Sequence, residues 1–509
     1  MIESLLAGVD LALRVDTFIW ISGGLLLGML MGALPGFTTS MGMSVLVPIS
    51  FLVGDPLIGI PFLIGVYKGG IYGGSVPAIL LSMPGTGASI ATVFDGHALT
   101  KKGNSRKALE MSLFASVIAD FCSDIFTLVM IIPVAAVVLG FGPPEIAAVM
   151  FLSLVIIAVT ATGPVIKGLI MLCLGVWVGF VGADPFSAMA RYSFGTPELY
   201  DGFHLIPILI GLFALPEIFN AVKEGDMPGS RVASFVGERL RLDELKSSMR
   251  TICRSTIIGT GIGLVPGLGQ PIAAMMGYIA AKNSSSHPET FGKGDLDGVA
   301  GAEAANNAVN GPTLVPLLTL GIPGDAVTAL LLGAFMMQGL RPGPTLLTSS
   351  GDIVFGILIA MVLANALFVV IGYVTIPLFA RIVTIKKSLL IPITIMLAFA
   401  GTYLARSNPF DIVTLIGFGL VGIAAREAKF DVAPMVMGFI LGRELEYSFG
   451  QTLALAGDHW IRFALTERLG MTAVVLATPV IGLLLGRRMA FFRARALERE
   501  GGSDEIPRA

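Results

Sequence analysis

Gly32-Ala33-Leu34-Pro35-Gly36-Phe37-Thr38-Thr39-Ser40 ends an apolar run on a Pro-Gly pair, and the chain repeats the device at Gly263-Leu264-Val265-Pro266-Gly267-Leu268-Gly269-Gln270. Each copy is followed by a second pair. After Tyr72-Gly73-Gly74-Ser75-Val76-Pro77 comes Ser82-Met83-Pro84-Gly85-Thr86, and after Asn310-Gly311-Pro312-Thr313 comes Gly321-Ile322-Pro323-Gly324-Asp325. Proline removes a backbone donor and glycine tolerates the left-handed conformation, so each pair is a place where a helix stops. Four such stops, paired by an internal repeat, govern how the rest of the chain reads.

A chain of 509 residues with 54% hydrophobic and 13% charged residues, and a mean hydropathy of +0.85, carries too much apolar surface for one soluble core. It reads as an all-α polytopic membrane protein. A span takes about 20 mostly apolar residues, and such runs recur about ten to twelve times, with re-entrant pieces between them. The 63 glycines and 29 prolines suit helices that approach closely and unwind locally in a bilayer. Cys122, Cys173 and Cys253 sit in or beside apolar runs, which indicates neither a disulfide framework nor a zinc site. A net charge of −2 gives no nucleic-acid signature. Residues 17–33 lack a basic leader and a small-residue cleavage site, so they read as a first span, not a removable signal.

After the first Pro-Gly pair, residues 41–53 are too short to cross alone, and 58–66 lead into Tyr67-Lys68-Gly69-Gly70. The Gly/Ser/Thr-rich stretch from there to Gly96 reads as a re-entrant hairpin, tolerated at membrane depth only where protein or a water-filled cavity covers its backbone. Further spans are expected near 108–139, 145–161, 165–181 and 205–219, and later near 353–380, 389–403, 412–425, 432–441 and 472–485. Residues 299–340 mirror the first hairpin. Four segments result: 1–221 as a first repeat, 222–250 as a charged cytoplasmic linker, 251–486 as a second repeat, and 487–509 as a basic, then polar, disordered cytoplasmic tail.

Loop charge sets the relative direction of the two repeats. Lys101, Lys102, Arg106 and Lys107 follow the first hairpin, while the counterpart loop holds only Arg341. One span later the bias reverses: 141–144 has no base, whereas its counterpart has Arg381, Lys386 and Lys387. Equivalent loops therefore face opposite sides, which is an inverted-topology repeat. The N-terminus is expected on the periplasmic side and the C-terminus in the cytoplasm.

Inverted repeats with discontinuous helices belong to secondary transporters, which hold substrate near the midplane. A helix start at a break offers unpaired N–H donors and about half a positive elementary charge, which suits an anion. The candidate substrate site takes Pro35, Gly36, Phe37, Thr38, Thr39, Ser40, Gly74, Ser75, Pro84, Gly85 and Thr86 from the first copy. From the second it takes Pro266, Gly267, Gly269, Gln270, Asn306, Asn307, Pro323, Gly324 and Asp325. The blander alternative is that Pro-Gly pairs kink packed helices and that Asn306-Asn307 only glue helices together. Asp120 and Asp124, four apart on one helix face, are ion-coupling candidates for a proton or sodium; alternatively they line an aqueous vestibule. Lys68 either snorkels or offers charge to the substrate, and Asp95 reads as a turn or cap residue. His97, His204, His287 and His459 show no metal-ligand spacing. Gly259-Thr260-Gly261-Ile262-Gly263 lacks a preceding strand and a Walker lysine, so ATP hydrolysis is not expected, and no catalytic triad or cofactor site stands out.

Several long motifs carry a family resemblance. The runs 32–40, 72–103 with Ile79-Leu80-Leu81-Ser82-Met83-Pro84-Gly85 and Asp95-Gly96, 291–307 with Phe291-Gly292-Lys293-Gly294 and Glu303-Ala304-Ala305-Asn306-Asn307, and 316–344 with Gly339-Leu340-Arg341-Pro342-Gly343-Pro344 resemble the large membrane subunit of the tripartite tricarboxylate transporters. The resemblance extends over almost the full chain. It implies a bacterial inner-membrane carrier that works with a small membrane subunit and a periplasmic solute-binding protein. Such a carrier imports tricarboxylates or dicarboxylates on an ion gradient, and a homo-oligomer is compatible with it. Ser82 stands where an asparagine is common in the family, and Gln338 where a histidine is, so citrate is not assigned as the substrate. Two alternatives differ in kind. One is a stand-alone carboxylate carrier; the other is a polytopic membrane enzyme using Asp95, Asp120 and Asp124.

Overall fold

The computed structural model describes residues 2–225, 237–383, 385, 387–459, 462–463 and 468–501. Lys386, residues 226–236 of the expected linker and residues 502–509 of the expected tail lie outside the described residues. In chain order the helices begin with α1 (Ile2–Ala12), α2 (Val15–Ala33), α3 (Thr39–Leu52), α4 (Pro56–Leu81), α5 (Ile90–Lys101) and α6 (Ser105–Val138). Next come α7 (Pro143–Thr160), α8 (Val165–Gly179), α9 (Leu205–Glu224), α10 (Leu242–Gly263) and α11 (Gly269–Ser284). They continue with α12 (Leu296–Asn307), α13 (Leu314–Leu320), α14 (Ala326–Met337), α15 (Leu346–Ser349) and α16 (Gly351–Ile382). The last are α17 (Lys387–Arg406), α18 (Pro409–Glu427), α19 (Ala433–Ala456) and α20 (Leu469–Gly501).

Helix accounts for 79% of the chain, and among the described residues the only sheet pairs Gly182–Ala183 with Ala190–Arg191, so the all-α polytopic class holds. Nine described helices are long and apolar enough to cross a membrane, and α3, α8 and α14 are shorter apolar helices. The chain forms two compact units, Met1–Gly140 with His204–Arg426, and Phe141–Phe203 with Glu427–Ala509. Every candidate site residue belongs to the first.

The largest departure from the sequence reading is α4. It runs unbroken for 26 residues, straight through Tyr67-Lys68-Gly69-Gly70, where re-entry was expected. The glycines there form a packing face instead of a break. Gly24, Gly28 and Gly32 on α2 and Gly65, Gly69 and Gly73 on α4 recur at every fourth position. A Cβ on Gly28 would stand 2.3 Å from the Val66 carbonyl oxygen, and one on Gly69 2.2 Å from that of Leu25. The two helices thus meet backbone to backbone, as small residues at this spacing permit in membranes. The break comes later, at Ser82, which ends α4 in the left-handed conformation with φ 60°.

Three boundaries also move. α10 begins at Leu242, inside the interval read as linker, because Glu244 accepts from the Arg241 N–H (2.9 Å) and pairs with Lys107 (2.8 Å), which anchors its first turn. α19 extends past Leu441 through charged residues that ended the expected span; Glu446 there receives both Arg191 Nη1 (2.5 Å) and Nη2 (2.9 Å). α20 continues to Gly501, so the tail expected to be disordered is helical to that point; the sequence from Arg487 is rich in strong helix formers. Within the second unit α8 and α19 repeat the glycine contact, with Gly175 against the Met435 carbonyl and Gly438 against that of Leu172.

Candidate functional site

Lys68 stands midway along α4 with no exposed surface. Its Nζ lies 2.6 Å from Asp120 Oδ2 and 2.5 Å from Asp124 Oδ2, both on α6 and both fully buried. The i,i+4 spacing that flagged these carboxylates does place them on one face. Asn310 donates Nδ2 to Asp120 Oδ1 (3.2 Å) and Asn365 on α16 donates Nδ2 to Asp124 Oδ2 (2.6 Å). Full burial of all three side chains replaces the vestibule and snorkelling readings with a buried ion triad. Its charges sum to one negative charge when both carboxylates are ionised. Such a group persists only where geometry and extra hydrogen bonds offset desolvation, which is what the two asparagines contribute.

The broken helices form a second locus. Gly36 and Gly267 end their apolar runs with φ of +83° and +85°, a conformation that glycine adopts freely. Two of the helix starts that follow breaks are filled by the chain itself. Thr38 Oγ1 accepts from the Met41 N–H (3.2 Å) at α3, and Asp325 Oδ1 from the Thr328 N–H (2.7 Å) at α14. The start of α11, at Gly269-Gln270, has no side-chain cap. The Gly267 N–H donates to the Gly324 carbonyl (2.8 Å), so break and hairpin tip are tied in the second half. In the first half the Gly85 N–H donates to the Gly74 carbonyl (3.1 Å), and a Cβ on Gly85 would meet the Gly32 carbonyl at 2.7 Å.

Tyr67 links the halves. Its hydroxyl donates to Asp325 Oδ2 (2.9 Å) and accepts from Gln270 Nε2. Pro271 packs against Gly87, just beyond the first hairpin tip. Gln270, Asp325, Gly267 and Gly324 are therefore one cluster around Tyr67. Pro35 is buried, and Gly36 lies against the Lys387–Glu224 ion pair (2.6 Å). Phe37 and Thr39 are buried at the start of α3, Thr39 Oγ1 without a partner, and Ser40 is half-buried. Thr86 Oγ1 lies 2.9 Å from Ser89 Oγ, Pro84 is exposed, Pro266 is half-buried and Pro323 is buried.

A third locus runs along α12. Glu303, Asn306, Asn307 and Asn310 fall at i, i+3, i+4 and i+7, one face of a helix and the turn after it, and all are buried. Ser75 Oγ (2.6 Å) and Thr92 Oγ1 donate to Glu303 Oε1, and Ser116 Oγ donates to Oε2 (3.3 Å). Asn307 donates Nδ2 to Ser116 Oγ (2.8 Å). Neither polar atom of the Asn306 side chain has a partner, nor has Asn307 Oδ1. Ser75, expected at the substrate, is thus engaged with Glu303.

Asp95 is neither turn nor cap of its own helix. It sits buried inside α5, where Oδ1 accepts the N–H groups of Gly292, Gly294 and Asp295, each at 2.8 Å, and Oδ2 accepts from Tyr278 OH (3.0 Å). One carboxylate therefore shapes the loop that precedes α12. Sequence reasoning missed Asn365 and the pairing of Lys68. Asn365 is a lone amide in the apolar run of α16, and an intramembrane polar residue is itself a signal. Gln338 donates Nε2 to the Ser50 carbonyl (2.7 Å), a packing role between α14 and α3.

Comparison with known proteins follows the same lines. The Tripartite tricarboxylate transporter TctA family matches residues 18–437. The chain is 35% identical over 485 residues, 95% of it and 96% of the relative, to an uncharacterized 52.8 kDa protein in the TAR-I ttuC' 3' region of Agrobacterium vitis. It is 36% identical over 228 residues, 45% of it and 89% of the relative, to an uncharacterized protein in the TAR-II ttuC' 3' region of the same organism. No solved structure matches it. Systems of this family are tripartite, with a small membrane partner and a periplasmic binding protein. The broken, apolar helices and the long match agree: this chain belongs to the tripartite tricarboxylate transporter TctA family.

Proposed function

We propose that this chain is the large transmembrane subunit of a binding-protein-dependent secondary transporter that imports carboxylate anions of the tricarboxylate or dicarboxylate type. Transport is by alternating access in the bacterial inner membrane, driven by a proton or sodium gradient. The observation that carries this reading is Asn306, a fully buried amide whose Nδ2 and Oδ1 both lack a partner. Leu268, Ile272 and Ala273 at the uncapped start of α11 pack with Ala305 and Val309, on either side of Asn306 in the chain. An amide with two free donors suits a carboxylate, and the uncapped start of α11 packs on the same stretch of chain. Leaving the Asn306 Nδ2 donors unpaired costs about 1–3 kcal/mol, which a bound anion would recover.

The inverted repeat is part of the same reading. Helix lengths support it: α5 and α14 are both 12 residues, and α6 and α16 are 34 and 32. The loop charges support a periplasmic N-terminus and a cytoplasmic C-terminus. Proteoliposomes holding this chain with its small membrane partner test the proposal directly. Uptake of a labelled mono-, di- or tricarboxylate is expected only when the binding protein is added and a proton or sodium gradient is imposed. Absence of uptake across the whole panel under both gradients overturns it.

A further inference from the structure

α6 and α12 meet along a seam of buried polar side chains. On α6 Ser112, Ser116, Asp120 and Asp124 recur every fourth residue; Ser116 meets Glu303 and Asn307, Asp120 meets Asn310, and all of these, with Asn306 between them in the chain, are buried. At one end of the seam Asp120 and Asp124 have Lys68. At the other, the Glu303 carboxyl accepts from the neutral hydroxyls of Ser75, Thr92 and Ser116. The elements packed on this part of the seam bring Tyr72 on α4, Asp95 on α5, Glu110 on α6, Arg254 on α10 and Tyr278 on α11. Arg106 pairs with Glu110 (2.9 Å), Arg254 donates to the Ala280 carbonyl (3.3 Å), and Asp95 is taken up by the 292–295 loop and Tyr278.

We propose that Glu303 is a proton-binding carboxyl coupled to substrate contact at Asn306 and Asn307, so that a proton is the driving ion; this rests on the transporter reading. A carboxylate buried in protein, with no cation paired to it among the described residues, carries an uncompensated charge, and one proton removes it. A sodium ion would need all three hydroxyls to turn their hydrogens away from the carboxylate, whereas a proton on Oε2 needs only that of Ser116 to turn. The link to substrate runs through Ser116. With Glu303 ionised, Ser116 gives its single hydrogen to Oε2 and accepts from Asn307 Nδ2. A proton on Oε2 makes that oxygen a donor, so the Ser116 hydroxyl must turn, and the amide at Asn307 meets a reoriented partner. One O–H bond forms at Glu303 when the proton enters with the anion and breaks when the proton leaves on the other side. No electron transfer is involved.

The test is proton stoichiometry in sodium-free proteoliposomes of the complete complex, with an enclosed pH dye and a labelled carboxylate. The wild type is expected to move protons with the anion, and Glu303→Gln to move one proton fewer per anion. An unchanged proton count in Glu303→Gln, or wild-type uptake that follows a sodium gradient and ignores a proton gradient, overturns the proposal. Should Glu303→Gln not reach the membrane, Ser75→Ala keeps the carboxyl and is expected to move the pH midpoint of uptake by at least about half a unit. An unmoved midpoint overturns the proposal equally. A wild-type complex that carries no carboxylate at all overturns the transporter reading itself, a result distinct from these.

Discussion

Lys68 on α4 and Asp120 on α6 form an ion pair, Nζ to Oδ2 2.6 Å, with neither side chain exposed, and Asp124 joins it at 2.5 Å. Removing one partner of a buried pair leaves the other charge unmatched at a cost of about 3–5 kcal/mol. Lys68→Met leaves two carboxylates and is expected to abolish the monodisperse peak of the detergent-extracted protein. Lys68→Met with Asp120→Asn and Asp124→Asn is expected to restore it. A Lys68→Met protein that elutes like the wild type contradicts the triad.

The contact of α2 with α4 makes a prediction with its own control. A Cβ on Gly69 would lie 2.2 Å from the Leu25 carbonyl, whereas nothing lies within 4 Å of one on Gly23. Gly69→Ala forces the backbones apart, a cost of about 1–3 kcal/mol. Thermal unfolding of the solubilised chain is expected to shift down for Gly69→Ala and stay put for Gly23→Ala.

Asp95 holds three backbone N–H groups and a tyrosine hydroxyl, so its loss leaves several donors unpaired, at about 1–3 kcal/mol for each that stays buried. Asp95→Ala is expected to speed amide exchange at Gly292, Gly294 and Asp295 by at least about tenfold, the equivalent of 1.4 kcal/mol. Unchanged protection there would show that the loop keeps its shape without the carboxylate.

His204, just ahead of α9, has its pKa pushed down from 6.5 to about 4, first by burial and then by the charge of Arg406. Between those two values the unfolded chain takes up a proton that the folded chain refuses, so this residue lowers stability as the pH falls through that window. The unfolding temperature of the wild type is expected to drop more between pH 7 and pH 5 than that of His204→Gln. Equal drops contradict this account of His204. The ordinary histidine value of about 6.5 lies between pH 7 and pH 5.

How much of this was legible in the sequence differs by residue type. The Pro-Gly pairs announced the breaks at Gly36 and Gly267 because proline and glycine act on the local backbone, whatever surrounds them. The glycines of α4 misled, since the same residue that ends a helix also permits close approach, and only the partner face on α2 decides which. Asp120 and Asp124 were visible as intramembrane charges, but their counter-ion lies 52 residues away in sequence for Asp120 and 56 for Asp124, a pairing no local pattern encodes. Asp95 looked like a turn residue beside Gly96. Its role became visible only when the 292–295 loop came to rest on it.

In the proposed transport cycle Asn306 meets the transported anion. The most direct measurement is binding-protein-dependent uptake of a labelled carboxylate by proteoliposomes carrying the wild type or Asn306→Ala, with membrane insertion matched between them. A hydrogen bond to a charged group contributes about 1.5–3 kcal/mol, so uptake by Asn306→Ala is expected to fall by at least about tenfold at subsaturating substrate while insertion is unchanged. Uptake by Asn306→Ala equal to that of the wild type would contradict the account.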